Sequence, residues 1–129
     1  MAPPVATESH VALACDLPIV EAKFVGLVGR DELFRIVSQG LELARTHGVH
    51  RHLVDCTELE GGHSLADLFN IAKTIVESPA RGLFREALLS RPGSPVDHEI
   101  SFFQTTARNR GLDVRCFAAR EEAVAWLIK

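Results

Sequence analysis

The sequence contains no tyrosine, one tryptophan and one methionine, and aromatic residues make up only 6% of it. Without tyrosine there is no phenolic group to serve as a general acid. A Cys-x-x-Cys pair is also absent: Cys15, Cys56 and Cys116 stand alone and are odd in number. Each lies in an apolar, strand-like run, where cysteine behaves as a small buried hydrophobe. They read as reduced thiols of a cytoplasmic protein rather than as a disulfide framework. Lys and Arg form no cluster and no stripe interleaved with aromatics, and the net charge of -3 is spread along the chain. That excludes an electrostatic nucleic-acid footprint. No apolar run approaches the roughly 20 residues of a bilayer span. The opening "MAPPVATES" has neither the basic region nor the apolar core of a secretory signal. Gly-x-Ser-x-Gly, His-Glu-x-x-His and a phosphate-cradling glycine loop are all missing. The sequence therefore leans away from an enzyme and calls for no cofactor.

What is present is ordinary globular material. The chain has 129 residues, 47% hydrophobic and 24% charged, enough for one domain that buries about two thirds of its unfolded surface. Residues 1–8, rich in Pro, Ala and Thr, read as a loose tail, and 9–129 as the domain. "HVALAC" (10–15) and "IVEAKFVGLV" (19–28) flank the turn "DLP" and form a hairpin; Val20, Ala22, Phe24 and Val28 share one face. From residue 30 the period changes to that of a helix. Leu33, Val37, Gly40, Leu41 and Ala44, with Ile36 beside them, make one apolar stripe that stops at Gly48. "HRHLVDC" (50–56) is a strand and 57–63 a loop. A second stripe (Leu65, Leu68, Phe69, Ala72, Ile75, Val76) runs from Ser64 to Ser78–Pro79. "EALLS" (86–90) is a strand, and Ser94–Pro95 opens a third helix closed by Gly111. "LDVRCF" (112–117) is the last strand and 120–129 the last helix. The order β-β-α-β-α-β-α-β-α predicts an α/β domain with a five-stranded, mostly parallel mixed sheet.

Parallel strands bring loops 57–63, 91–95 and 117–119 to one edge, where open α/β sheets place their ligands. Asp55, His63, Ser64, Arg91, Ser94 and Arg120 are the candidate binding residues of that rim. Ser64 begins a Ser-x-x-Asp capping pattern, and a helix N-terminus also stabilises a phosphate. Asp55 suits the backbone N–H groups of the following loop. His50 and His52, two apart on a strand, share a face as metal ligands can, with His47 nearby. They lack the third or fourth ligand that a closed site needs, so no metal is predicted.

Three segments, "HLVDCTELEG", "FFQTTARNRGLDVRCFAAREEAVAWL" and the 30–48 helix, together resemble the STAS-like, SpoIIAA-like proteins. These are small bacterial domains related to anti-sigma-factor antagonists. The resemblance spans about residues 9–129. It implies a regulatory or protein-interaction module, switched in the antagonists by phosphorylation of a serine in a "DSSG"-like motif at a helix start. In this chain "GGHSLADL" stands there, with one serine, no preceding Asp and no following Gly. Ser64 is the candidate phosphorylation site by position, and the implied partner is an unidentified protein, with a homodimer left open. STAS-like domains are also similar in topology to CRAL-TRIO-type lipid-transfer domains. The alternative reading is accordingly a small-molecule or lipid-binding domain with an apolar cavity between sheet and helices, for which Phe69, Phe84, Phe102 and Phe103 are candidate linings. No integral membrane association is expected.

Overall fold

A computed structural model of the chain describes residues 8–79 and 82–129. The predicted tail falls, but for Glu8, outside the described residues. The elements come in the expected order: β1 (His10–Leu13), β2 (Ile19–Leu27), α1 (Arg30–His47), β3 (Arg51–Gly61), α2 (Leu65–Val76), β4 (Arg85–Leu89), α3 (Asp97–Asn109), β5 (Asp113–Phe117) and α4 (Arg120–Leu127). They form one five-stranded sheet in the order β1-β2-β3-β4-β5. β1 runs antiparallel to β2, and every other neighbouring pair is parallel.

Each crossover steps to the next strand in the same direction, so a common hand puts α1, α2 and α3 on one face. Alternation along the strands then divides the side chains. Phe24, Cys56, Leu88 and Val114 point into the larger core with Leu33 and Ile36 of α1, Ile71 and Ile75 of α2, and Ile100 and Phe103 of α3. Ile19, Leu53, Ala87 and Leu89 point the other way, against Ala123 and Leu127 of α4. The central strands β3 and β4 are therefore covered on both faces. None of the described helices is long and apolar enough to cross a membrane.

β1 stops at Leu13, short of Cys15, which is exposed rather than buried, and α4 stops at Leu127. Two further boundaries differ from the sequence reading near the site. β3 does not end near Cys56: it continues to Gly61, with Glu58, Leu59 and Gly61 paired to Val25, Gly26 and Leu27 of β2. The far half of the hairpin strand offers backbone partners there, and "TELEG" takes them although it is acidic rather than apolar. The third helix does not open at Ser94–Pro95. It starts at Asp97, with Val96 as its N-cap. Ser94 N–H donates to the Arg91 carbonyl and Asp97 N–H to the Ser94 carbonyl, so turns occupy the expected first helical positions. Val96, fully buried, draws this segment into the core before the helix begins.

The turn between β3 and α2 lies hard against the turn between β2 and α1. Val28 N–H donates to the Gly61 carbonyl at 2.7 Å. A Cβ on Gly62 would lie 2.7 Å from Val28 N and 2.9 Å from Val28 O, and the Gly62 φ is +100°. Only glycine fits both the space and the angle. This contact fixes where His63 and Ser64 emerge.

Candidate functional site

Between the sheet and the α1–α3 layer lies a cavity of ≈ 100 Å³. Its walls are mainly apolar: Phe24, Ile36, Ile71, Ile75, Phe84 and Phe103 are representative. Phe84 and Phe103 thus serve the lining foreseen for them. Phe69 instead lies on the outer side of α2, with the Arg110 guanidinium 4.4 Å from its ring centroid.

Besides the Cys56 thiol, two imidazoles and two carboxyl groups interrupt the apolar wall: His52, His63, Glu86 and Glu99. His52 and Glu86 are register partners across β3 and β4, so alternation turns both toward the helices. Glu86 is only 5% exposed. Among the described residues nothing hydrogen-bonds its carboxyl, and burial alone pushes its pKa up to about 8. At neutral pH it is mostly a carboxylic acid. His52 stacks on Phe84, ring centroids 4.7 Å apart. Burial first, and then His50, pushes its pKa down to about 4, so its imidazole is neutral. His63 lies nearer the mouth. Its side chain is 1% exposed, its Nε2 is 3.6 Å from Glu99 Oε2, and its Nδ1 is 3.4 Å from the Val28 carbonyl. Glu99 is a quarter exposed overall, yet its Oε2 is buried without a hydrogen bond. No Lys or Arg lines the cavity among the described residues.

The six rim residues are placed differently. The turns after β3, β4 and β5 do share one edge of the parallel sheet. There, however, Asp55 Oδ1 accepts from Thr57 N (2.9 Å) and Thr57 Oγ1 (2.6 Å), and its other oxygen lies 4.0 Å from Lys23 Nζ. Lys23 itself pairs with Glu58, which raises its pKa. Arg120 pairs with Glu21. Ser64 is an exposed N-cap in a complete capping box: its Oγ accepts from Asp67 N at 3.1 Å while its N–H donates to Asp67 Oδ2 at 2.9 Å. Arg91 is exposed. Ser94 is buried with an unpartnered Oγ. His63 turns inward to the cavity. Among the described residues no side-chain hydrogen bond or ion pair joins any two of the six; Ser94 and Arg91 meet only through the backbone bond of their turn.

Of the metal candidates, His52 is buried against Phe84 and His50 has an unpartnered Nδ1. Burial raises the pKa of the Cys56 thiol, and raises that of Cys116 to about 11, so neither is a thiolate at neutral pH. Trp126 packs on Phe117 with the guanidiniums of Arg85 and Arg115 within 4.9 and 5.3 Å of its ring, on the α4 side of the sheet. Glu86 is the residue that sequence reasoning missed. Its signal was present: a short strand between two helical crossovers is covered on both faces, so a glutamate inside it has nowhere to go but the core.

No protein-family profile matches the chain, and no curated protein matches it. Among solved structures it is similar to an uncharacterised protein of the DUF3478 family, with a SpoIIAA-like fold, from Shewanella loihica PV-4. The TM-score is 0.62 at 19% identity, covering 98% of each chain. The chain thus has the SpoIIAA-like fold expected from its sequence.

Proposed function

We propose that this chain is a SpoIIAA-like binding module that takes a small, largely apolar ligand into the cavity between its sheet and helices α1–α3. The observation that carries this reading is a ≈ 100 Å³ apolar cavity with a buried, unpartnered carboxyl at its floor. Close-packed interiors leave few voids larger than a water molecule, and a buried polar group without a partner costs roughly 1–3 kcal/mol. An interior shaped only for stability would place a leucine at position 86. Comparable dry cavities of about 150 Å³ hold benzene or xenon.

The regulatory reading, a protein partner gated by Ser64, has weaker support. The Ser64 hydroxyl and its N–H are both engaged with Asp67. A phosphate added there would break the capping box and stand beside the Asp67 carboxylate.

Xenon tests the cavity reading directly. Methyl-resolved NMR of the protein under xenon pressure is expected to move the signals of Ile36, Ile71, Ile75 and Leu88 and to leave Leu127 and Ile128, on the α4 side, in place. Shifts spread evenly over both sides, or none, would refute it.

A further inference from the structure

We infer that the ligand is a small primary amine, an apolar body of about three carbons whose ammonium group meets the Glu86 carboxyl. This rests on the cavity reading above and specifies its chemistry.

The charge of the lining decides the class. A ligand with an anionic head, such as a fatty carboxylate or a phosphate ester, needs a cation or a cluster of N–H donors. The lining offers two carboxyl groups, Glu86 and Glu99, and two imidazoles, with no Lys or Arg among the described residues. An anion would find no cation among these residues to replace its hydration. A cation gains at both ends of its path. Glu99, a quarter exposed on α3, is where acidic lining reaches solvent, and its buried Oε2 lacks a hydrogen bond. Glu86, on a central strand, is only 5% exposed. Size follows from volume: the cavity is about two thirds of one that holds benzene. His52, neutral and beside Glu86 in register, can accept a second ammonium hydrogen.

Binding would then move one proton. Glu86 holds its proton at neutral pH. When an ammonium ion enters, the carboxyl O–H bond breaks, the proton leaves to solvent, and an ammonium–carboxylate pair remains. The titratable groups that face Glu86 are His52 and Cys56 on β3, Cys116 on β5, Glu99 on α3 and His63 in the β3–α2 turn. Helices α1 and α2 contribute only apolar side chains and Gly40 to the lining. His52 titrates near 4 and Cys116 near 11, outside the range from pH 6 to 9.

Three probes of matched length test this in NMR titrations: propylamine, propan-1-ol and propanoate. At pH 8 propylamine is expected to bind at least tenfold more tightly than propan-1-ol, and propanoate most weakly. The propylamine Kd should fall about tenfold per pH unit from pH 6 to 8 and then level off. Propan-1-ol should show no such fall. Glu86→Gln should bring propylamine and propan-1-ol within about threefold of each other and remove the slope, and His63→Gln should keep it. Should Glu86→Gln not fold, the wild-type slope decides alone. If propan-1-ol binds as well as propylamine, or propanoate binds best, or the slope is missing or survives Glu86→Gln, the amine assignment is overturned while the cavity reading stands. If none of the three probes binds, both fall.

Discussion

Glu86 should make stability fall with rising pH, the reverse of an ordinary surface carboxylate. Its ordinary pKa is 4.5 and in the fold it is about 8. Between those values the folded chain holds a proton that the unfolded chain has released. Stability therefore declines by about 1.4 kcal/mol per pH unit across that window, being fully present below 4.5 and lost through 8. His52 acts oppositely. Its pKa falls from 6.5 to about 4, so the unfolded chain binds the extra proton and stability rises with pH between those values. From about pH 4.5 to 6.5 the two slopes offset each other. Above 6.5 Glu86 acts alone, and the loss between pH 6.5 and 8 is about 2 kcal/mol. Glu86→Gln keeps the size of the side chain and removes the titration. With a urea m-value of roughly 2 kcal/mol/M, the gap in midpoint between variant and wild type should widen by about 1 M from pH 6.5 to 8. Urea melts at half-unit steps from pH 4 to 8.5 supply the curves. Midpoints that run parallel across this range would refute the assignment of a buried, protonated Glu86.

Four further substitutions probe the frame of the site, each by urea midpoint. Gly62→Ala forces a Cβ to 2.7 Å from Val28 N at a φ of +100° and should destabilise by about 2 kcal/mol or more. Gly61→Ala, which meets nothing within 4 Å at a φ of +130°, should cost less, and equal costs would mean that the close approach to Val28 is not what selects glycine. Ser64→Ala removes one half of the capping box and should cost about 1 kcal/mol, with the xenon response unchanged. Gly40→Ala puts a methyl at ordinary contact distance, 3.5 Å from Val11 Cγ2 and 3.7 Å from Val20 Cγ1. It should stabilise α1 by roughly 0.5–1 kcal/mol.

The fold was legible because its signals are local and periodic. The stripe Leu33, Ile36, Gly40 and Ala44 and the alternation Val20, Phe24 and Val28 can each be read within one segment. The errors fell where a distant segment decides. Residues 57–61 are strand because β2 has backbone groups to pair there, and nothing in "TELEG" announces it. Ser94–Pro95 has the chemistry of a helix start, yet the burial of Val96 delays the helix by two residues. The cavity was beyond reach for the same reason. It depends on how far three helices stand off a sheet, which no single segment encodes. Glu86 is a different case, since the two-sided cover of β4 followed from the predicted order itself.

Position in the fold alone would favour the rim as the site, because the carboxyl edge of an open parallel sheet is the usual place for a ligand. The energetics favour the cavity. A polar group gains from a ligand only what its present partners do not already supply. At the rim Asp55 has Thr57, Arg120 has Glu21, and Ser64 has Asp67, so a ligand meeting those three would have to displace a bond in order to make one, while the unpartnered Ser94 Oγ is buried. The exposed pairs are worth little on either side of that exchange. Beneath the helices Glu86 lacks a hydrogen bond among the described residues and the buried Glu99 Oε2 lacks one too. An incoming ammonium must shed its own water and displace the Glu86 proton, but it breaks no protein–protein bond to make the new one. That asymmetry, rather than the volume of the cavity, is the reason to look for the ligand there.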